Sequence, residues 1–348
     1  MTLIGECYNL AMKVSELGEF GLVDLLAKMS YEGQDKQAAH WQQLLVTIGD
    51  DAAAWRGDTS IKLATVDCLI QDVHFALGMT TWNELGWKAL AVSLSDIAAM
   101  GGVPKYTLVS LGLPSHTEVD DVADLYRGII EIGQQFGVAI VGGNISNAPL
   151  VVINTTVLGS TRELDRILTR SAARANERVA VTGYLGAAAA GLEMLKKQMP
   201  LAPEAGASLR KASLHPYPRV AEGQLLVEQG VKAAIDISDG LIADLSHICQ
   251  ASQVGARIEV DLVPIHPAVN TNFGNRSLEM ALSGGEDYEL LFTASTEVIE
   301  RVRTRASCPV TVIGQVTADK TGKITLIDRE GKPFKPAKTG WQHFATRS

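Results

Sequence analysis

Short apolar runs rich in β-branched residues recur along the whole chain and alternate with segments of helical periodicity. They lie at 44–49, 61–67, 106–113, 138–143, 150–159, 178–183, 233–238, 256–263, 288–294 and 310–316. Such runs favour strands. Because two of them follow each other with no intervening helix between 138 and 159, the pattern predicts an α+β fold built from α/β layers, not a simple doubly wound sheet.

Three helices are predicted between these strands. One has apolar residues at 125, 129, 132 and 136, and Gly137 suits its C-terminal stop. Another begins at the capping-box pattern Thr81–Glu84 and ends near Gly101. A third runs through the apolar positions 241, 245 and 248, directly after Asp239.

The length of 348 residues suggests two domains. A polar, charged stretch near 160–178 is the most plausible boundary between them. We therefore expect an N-terminal extension at 1–16, an N-terminal α/β domain at 17–165 and a C-terminal α/β domain at 166–348.

Composition limits the possible partners and the compartment. The formal charge is −8, and Lys and Arg are scattered, so neither nucleic acid nor an anionic membrane is an expected partner. The four cysteines form no CxxC pair, which indicates reduced thiols in the cytoplasm. The N-terminus has no basic segment before an apolar one, and no apolar stretch reaches bilayer length, so we expect neither a signal peptide nor a membrane span.

Acids stand at or near the ends of several apolar runs. The positions are Asp50 and Asp51 in "VTIGDDAAAW", Asp67 in "LATVDCL", Asp96 in "ALAVSLSDIAAMG", and Asp236 and Asp239 in "AIDISDGLIADL". A buried carboxylate without a partner costs several kcal/mol or takes up a proton. No Arg or Lys lies in the same segments. We therefore expect that the strand ends converge and that these acids share divalent cations. The expected ion is Mg²⁺, which usually completes its coordination with substrate phosphates.

Helix and turn capping is the structural alternative for each Asp, and it is strongest for Asp239, which directly precedes a helix. Several Mg²⁺ ions would point to a polyphosphate substrate. No P-loop or protein-kinase motif is present, and the histidines offer no nucleophile pair. The glycine-rich segment 181–192 lacks the GxGxxG spacing, and a tight turn against small alanines explains it better.

Five segments occur together in a recognisable order. They are "IGDDAA", "DCLIQDVHF", "KALAVSLSDIAAMGGVP", "IDISDGLIADL" and "LSGGEDYELLF". Together they resemble the thiamine-monophosphate kinase family, of the superfamily that includes aminoimidazole ribonucleotide synthetase and selenophosphate synthetase. The resemblance covers about residues 18–345.

The resemblance implies the two-domain aminoimidazole ribonucleotide synthetase-like fold, whose N-terminal mixed sheet forms a barrel with a partner subunit in a homodimer. It implies ATP-dependent phosphorylation of thiamine monophosphate to thiamine diphosphate by direct in-line transfer, assisted by several Mg²⁺ ions and with no dedicated catalytic side chain. The implied magnesium ligands are Asp51, Thr65, Val66, Asp67, Asp96, Asn144, Asp236 and Asp239. The implied ATP contacts are Gly143, Asn144, Arg170 and Ser238, and the implied substrate contacts are His74, Glu286 and Trp341.

This chain departs from the family pattern at two positions. Asn144 stands where the family has Asp after two glycines, and Val66 stands where a hydroxyl residue is usual, so only its carbonyl could ligate a metal. Two alternatives remain open. One is another ATP-dependent enzyme of the superfamily with a different acceptor, and the other is a non-catalytic binder of thiamine phosphate or nucleotide.

Overall fold

The computed structural model describes residues 12–33, 41–46, 48, 53–162, 167–319 and 321–341. Asp50, Asp51 and residues 1–11 of the predicted extension lie outside the described residues. The chain divides into two compact units, one of residues 1–93 and 104–160, the other of residues 94–103 and 161–348. No helix in the described ranges combines the length and the hydropathy that a bilayer span requires.

The first unit contains a four-stranded sheet, a small two-stranded sheet and helices. The strand order is β3-β6-β4-β5 in the larger sheet, with β4 parallel to β5, and β1 pairs antiparallel with β2. The strands are β1 (Leu44–Val46), β2 (Ala54–Trp55), β3 (Ile61–Ile70), β4 (Val103–Leu113), β5 (Ala139–Asn147) and β6 (Val152–Thr161), and the helices are α1 (Val14–Glu32), α2 (Trp82–Ala99) and α3 (Val119–Phe136). The last residues of α2, from Leu94 on, and the first residue of β4 belong to the second unit.

Two predicted helix ends are confirmed in this unit. At the start of α2, the backbone N–H of Thr81 donates to Glu84 (2.8 Å), and the N–H of Glu84 donates to the Thr81 hydroxyl (3.2 Å). This is the capping box that the sequence predicts. Helix α3 ends at Gly137, whose φ of 67° is left-handed and costs glycine little.

The second unit is built on a six-stranded mixed sheet in the order β12-β9-β11-β7-β10-β8, in which only the β12–β9 pair is parallel. Its strands are β7 (Arg178–Thr182), β8 (Ala233–Asp236), β9 (Gly255–Glu259), β10 (Leu290–Ala294), β11 (Val310–Thr317) and β12 (Ile324–Ile327). Its helices are α4 (Ala187–Lys197), α5 (Pro203–Leu214), α6 (Val220–Glu228), α7 (Leu241–Ala251), α8 (Pro267–Phe273), α9 (Ser277–Ser283) and α10 (Thr296–Arg305).

Both faces of this sheet are covered. Val179 and Val181 of β7 join a core cluster that includes residues of α7 and α9. Ala180, between them, joins a second cluster with residues of α6 and α10. Alternate residues of one strand point to opposite faces. The unit therefore has three layers, and the strand sequences are apolar on both faces because neither face meets solvent.

Most predicted strands differ from the observed strands by a few residues at their ends, and two of these differences have a clear local cause. The predicted strand 256–263 stops at Glu259 and continues as a 3₁₀ turn at Val260–Leu262, just before Pro264, which has no N–H for a ladder. The predicted strand 288–294 begins only at Leu290, because Tyr288 has a left-handed φ of 50°.

Candidate active site

Strand β8 ends at Asp236, which is 3% exposed. The hydroxyl of Ser95, near the end of α2, donates to the Asp236 carboxylate at 2.7 Å. Ser95 is itself fully buried. A hydrogen bond from a neutral hydroxyl to a buried carboxylate favours the charged form. The adjacent predicted ligand Asp96 is half-buried in the same helix.

The loop between β8 and α7 folds around one carboxylate oxygen. The backbone N–H groups of Ser238, Asp239 and Gly240 donate to Oδ2 of Asp244 at 3.1, 3.1 and 3.0 Å. Gly240, with φ of 121°, is the N-cap residue of α7, and no side chain caps this helix end. The capping alternative for Asp239 is therefore not what the structure shows. Asp244 holds the loop, and the Asp239 side chain is left to another role.

These acids form a concentrated negative charge. Burial, together with the charges of Asp236 and Asp239, raises the pKa of Asp244 to about 7. Carboxylate oxygens of Asp239 and Asp244 and a ring nitrogen of His247 lie within 4.8 Å of one another. Asp239 is half-buried, Asp244 buried and His247 exposed, so a divalent cation could reach this group from solvent. Carboxylate oxygens are the ligands that Mg²⁺ prefers, and the two acids therefore fit it.

Segment 284–289 lies against the same loop. The N–H of Glu286 donates to the carbonyl of Ser238 (2.8 Å), and the N–H of Tyr288 donates to the carbonyl of Ile237 (2.9 Å). A Cβ on Gly285 would lie 2.4 Å from the Ser238 carbonyl oxygen, so only glycine permits this approach. The C-terminal segment also contacts this loop: the N–H of Trp341 donates to the carbonyl of Asp239 at 3.0 Å.

The structure thus brings together predicted residues from three distant parts of the sequence. Ser238, Asp239, Glu286 and Trp341 are joined by backbone hydrogen bonds in the second unit, and Asp236 pairs with Leu290 of β10 beside them. These five residues are called the backbone-bonded group. The Trp341 side chain is 50% exposed, so part of its indole is open to solvent. Arg170 has an exposed side chain, and the bond described for it is at its backbone carbonyl, which accepts from the hydroxyl of Ser252 at 2.7 Å.

In the first unit, β3 carries three of the predicted metal residues. Asp67 accepts a hydrogen bond from the hydroxyl of Ser93 (2.9 Å), and the Ser93 hydroxyl also lies 2.8 Å from that of Thr155. Thr65 is half-buried, whereas the Val66 side chain is 62% exposed. Val66 thus directs an apolar side chain to solvent, and any ligand atom would come from its carbonyl.

The other predicted residues of this unit lie on β5 and after β3. Gly143 and Asn144 pair in register with Val109 and Ser110 of β4. A Cβ on Gly143 would lie 1.9 Å from the Val109 carbonyl oxygen, so glycine is required there. Asn144 is exposed, and its side-chain amide donates to the Ser146 hydroxyl at 3.1 Å.

His74 closes the turn that follows β3. Its Nδ1 accepts from the N–H of Ile70 at 3.0 Å. This bond fixes the ring against the turn and places the hydrogen of a neutral imidazole on Nε2.

The glycine-rich segment 181–192 is a tight turn, as expected. It runs from β7 into α4 through Gly183 and Gly186, with φ of 57° and 85°. The N–H groups of Gly186 and Ala188 donate to the Asp287 carboxylate at 2.7 and 3.2 Å. A side chain of the protein therefore takes the position that an anion would occupy at this helix start.

Several residues that support this site were not among the sequence candidates. They are Ser93, Ser95, Asp244, Asp287, Glu289 and Arg219. Ser93, Ser95 and Asp244 stand within the same motifs as the predicted acids, "SLSD" and "SDGLIADL". These three residues could have been predicted from one pattern. Each is a polar residue a few positions from a predicted ligand in an otherwise apolar run.

Comparison with known proteins agrees with these features. Residues 49–161 match the model of the AIR synthase related protein, N-terminal domain, and residues 175–327 match that of the C-terminal domain. The thiamine-monophosphate kinase of Bacillus subtilis (strain 168) is 35% identical over 317 residues, covering 88% of this chain and 95% of the relative.

Solved structures show the same likeness. The crystal structure of thiamine-monophosphate kinase from Stenotrophomonas maltophilia K279a has a TM-score of 0.78 and 31% identity, covering 89% of this chain and 96% of the other. The structure of "AaThiL complexed with AMPPCP and TMP" has a TM-score of 0.74 and 33% identity, covering 97% and 100%. With both domains matched and relatives of this identity covered almost end to end, the chain belongs to the thiamine-monophosphate kinase family.

Proposed function

We propose that this protein transfers the γ-phosphoryl group of ATP to thiamine monophosphate, forming thiamine diphosphate. Family membership supports this reaction, and a relative at 33% identity is a complex with AMPPCP, an ATP analogue, and TMP. The observation that carries the proposal is the backbone-bonded group of Asp236, Ser238, Asp239, Glu286 and Trp341. It joins acids suited to a metal, a hydroxyl suited to a phosphate, and an aromatic face suited to a cationic ring.

Each residue has a proposed role. Asp51, Thr65, Val66, Asp67, Asp96, Asn144, Asp236 and Asp239 ligate Mg²⁺; Gly143, Asn144, Arg170 and Ser238 contact ATP; His74, Glu286 and Trp341 contact thiamine monophosphate. Bound Mg²⁺ would neutralise phosphate charge and orient the reactants. A terminal phosphate oxygen is the nucleophile of an in-line transfer, and it is already largely ionised near neutral pH, so no side chain has to remove a proton.

The protein groups contribute mainly by holding their own geometry. Asp244 fixes the backbone of Ser238 and Asp239, and Ser95 fixes the Asp236 carboxylate. A guanidinium at Arg170 can bind phosphate oxygens in a forked geometry. The exposed part of the Trp341 indole can attract the thiazolium cation through its π-face.

We also propose that the protein works as a homodimer through the sheet of the first unit. The family resemblance implies this arrangement, and Val66 and Val103, on two strands of that sheet, are 62% and 45% exposed. Apolar side chains on an open sheet are favourable to bury against a second copy. Sedimentation or light scattering at micromolar protein tests this point.

Product analysis tests the reaction. Purified protein is incubated with ATP, Mg²⁺ and thiamine monophosphate, and thiamine diphosphate is separated and quantified. We expect stoichiometric formation of thiamine diphosphate and ADP. Binding of nucleotide without thiamine diphosphate would reject the kinase role and leave a binder. ATP consumption only with another acceptor would indicate a different branch of the superfamily.

A further inference from the structure

Two non-glycine residues in the second unit, separated by one residue, have backbone conformations that side chains disfavour. Glu286 has φ of 70° and Tyr288 has φ of 50°, on either side of Asp287. Left-handed residues of this kind persist only where the surroundings hold them in place, and they concentrate at functional sites. The short segment 286–289, here called the strained turn, therefore requires a structural account.

The strained turn is held on its backbone side by the loop of Asp236 and Asp239. Glu286 and Tyr288 donate to the carbonyls of Ser238 and Ile237, and the N–H of Ile237 donates to the carbonyl of Glu289 at 2.8 Å. These bonds hold the backbone of the strained turn against the loop. Two side chains of the turn add further attachments.

One side-chain attachment is Asp287. Its two carboxylate oxygens accept from Gly186 and Ala188 at the start of α4. The carboxylate accepts backbone N–H groups at a helix start that would otherwise lack an acceptor, so this contact ties the first half of the turn to α4.

The second attachment is an ion pair at the other end. Nε and Nη2 of Arg219 donate to the two oxygens of Glu289 at 2.7 and 2.6 Å, and the Thr182 hydroxyl donates to the same carboxylate at 2.6 Å. The two charged side chains are 18% and 9% exposed. The guanidinium also lies 5.6 Å from the centre of the Tyr217 ring.

Glycine makes this attachment possible. A Cβ on Gly183 would lie 2.0 Å from a Glu289 carboxylate oxygen, so any other residue would displace the carboxylate. The side chains of Asp287 and Glu289 are bonded to other parts of the protein. Of the three acids in the strained turn, Glu286 is the one with a proposed contact to substrate. The N–H of Glu286 is bonded to the Ser238 carbonyl, and the side-chain attachments of Asp287 and Glu289 follow it directly in the chain.

We propose that Arg219 is a positioning residue for thiamine monophosphate, which acts by clamping Glu289 and so fixing Glu286 of the strained turn. The inference rests on the proposed function, because the substrate contact of Glu286 is part of that function. It adds a residue of the loop before α6 that has no direct role in binding metal, nucleotide or substrate.

The decisive variant is Arg219→Lys. Lysine keeps the positive charge near Glu289 but replaces the planar fork with a single point donor. We expect the Kd for thiamine monophosphate, measured by calorimetry without ATP, to rise on the order of tenfold, because a small misplacement of a binding group is costly. The KM for ATP should stay within about twofold of the wild-type value.

Arg276→Lys is the matched control. Nη1 of Arg276 donates to both oxygens of Glu193 at 2.6 and 2.8 Å, in the same unit, and no described bond ties this pair to the strained turn. We expect this variant to bind thiamine monophosphate like the wild type. If Arg219→Lys does not fold, Arg219→Gln is the second variant: it keeps a neutral donor near Glu289 but removes the charged fork, and it should raise the same Kd in the same direction.

A double-mutant cycle separates positioning from general destabilisation. If Arg219 acts through Glu286, Arg219→Lys should add little to the Kd increase that Glu286→Gln produces alone. The proposal would be overturned if the two single-variant increases in the Kd for thiamine monophosphate multiplied in the double variant. It would also be overturned if Arg219→Lys raised this Kd and the KM for ATP by the same factor. Failure of wild-type protein to form thiamine diphosphate would instead reject the proposed function, so the two failures are distinguishable.

Discussion

At the scale of single residues, the site depends on neutral side chains that orient charged ones. Ser95 donates to Asp236, and Ser93 donates to Asp67. A partner that orients a metal-binding carboxylate typically changes metal affinity by about 10- to 100-fold when it is removed. The two serines of "SLSD" are therefore expected to act on Mg²⁺ dependence more than on folding.

Ser95→Ala tests this expectation. The Mg²⁺ concentration for half-maximal thiamine diphosphate formation should rise about tenfold, because Asp236 loses the donor that fixes it. Ser277→Ala is the control, since Ser277 is equally buried and donates to the carbonyl of Val269. Both variants should lose about 1 kcal/mol of unfolding free energy. Equal Mg²⁺ requirements in the two variants would contradict the role given to Ser95.

Asn144→Asp should have the opposite effect on Mg²⁺. The added carboxylate gives a hard cation a charged oxygen where the chain has an amide, so half activity should need less Mg²⁺. Asn147→Asp, on the same exposed end of β5, adds the same charge at a position with no proposed ligand. If both variants lower the Mg²⁺ requirement equally, the effect comes from the added negative charge and not from a metal ligand at position 144.

At the scale of elements, helix ends determine how the site residues are presented. Helix α2 carries Ser93, Ser95 and Asp96, and it starts at the Thr81–Glu84 capping box. Helix α7 starts at a loop held by Asp244, and the Asp287 carboxylate accepts hydrogen bonds at the start of α4. In each case an orphan backbone N–H is bonded by a side-chain oxygen, which fixes the first turn.

Thr81→Ala tests the contribution of the capping box. It should lower the free energy of unfolding by about 1 kcal/mol, because the Glu84 N–H loses its acceptor. Thr81→Ser keeps the hydroxyl and should retain most of that stability. Chemical denaturation measures both. A loss as large in the serine variant as in the alanine variant would place the effect in the lost methyl group, not in the cap.

His266 predicts a pH dependence of stability. Its Nδ1 accepts from the N–H of Ala268 at the start of α8, and burial lowers its pKa below 6.5. The unfolded chain then takes up a proton first as the pH falls. The contribution of His266 to the free energy of unfolding is therefore fully present above about pH 6.5. It is lost as the pH falls through the pKa that His266 has in the folded protein.

His266→Asn supplies an N-cap that does not titrate. The decrease in Tm between about pH 7.5 and about pH 5.5 should be smaller than in the wild type. His116→Asn, at an exposed position, is the control and should keep the wild-type decrease. An unchanged pH dependence in His266→Asn would show that this cap does not contribute.

At the scale of the whole molecule, the sequence predicts what local patterns encode. The core strands, α3 with its stop at Gly137, and the start of α2 all follow from periodicity and capping residues. The elements that were not predicted are the helices α1, α4, α5, α6, α8, α9 and α10 and the short strands β2 and β12. Gly18 interrupts α1 with a non-helical φ of 75°, and β12 is a short strand in which only Leu326 is buried.

The site shows the same limit. Acids at strand ends predict a metal-binding group, but the residues that orient them come from far along the chain. Ser95 and Asp236 are 141 residues apart, and Arg219 and Glu289 are 70 residues apart. Such pairs depend on which elements pack together, and no local pattern specifies that. The strained φ of Glu286 is likewise imposed by its surroundings and not by its own preference.

The central claim is that carboxylates brought together by the fold hold divalent cations for phosphoryl transfer between two anions. The most direct measurement is the rate of thiamine diphosphate formation during a Mg²⁺ titration of the wild type and Asp236→Asn. We predict no product in excess chelator, and a rate at least about 100-fold lower in the variant, with its fold intact by circular dichroism. Product formation by Asp236→Asn at the wild-type rate and Mg²⁺ requirement would contradict the account.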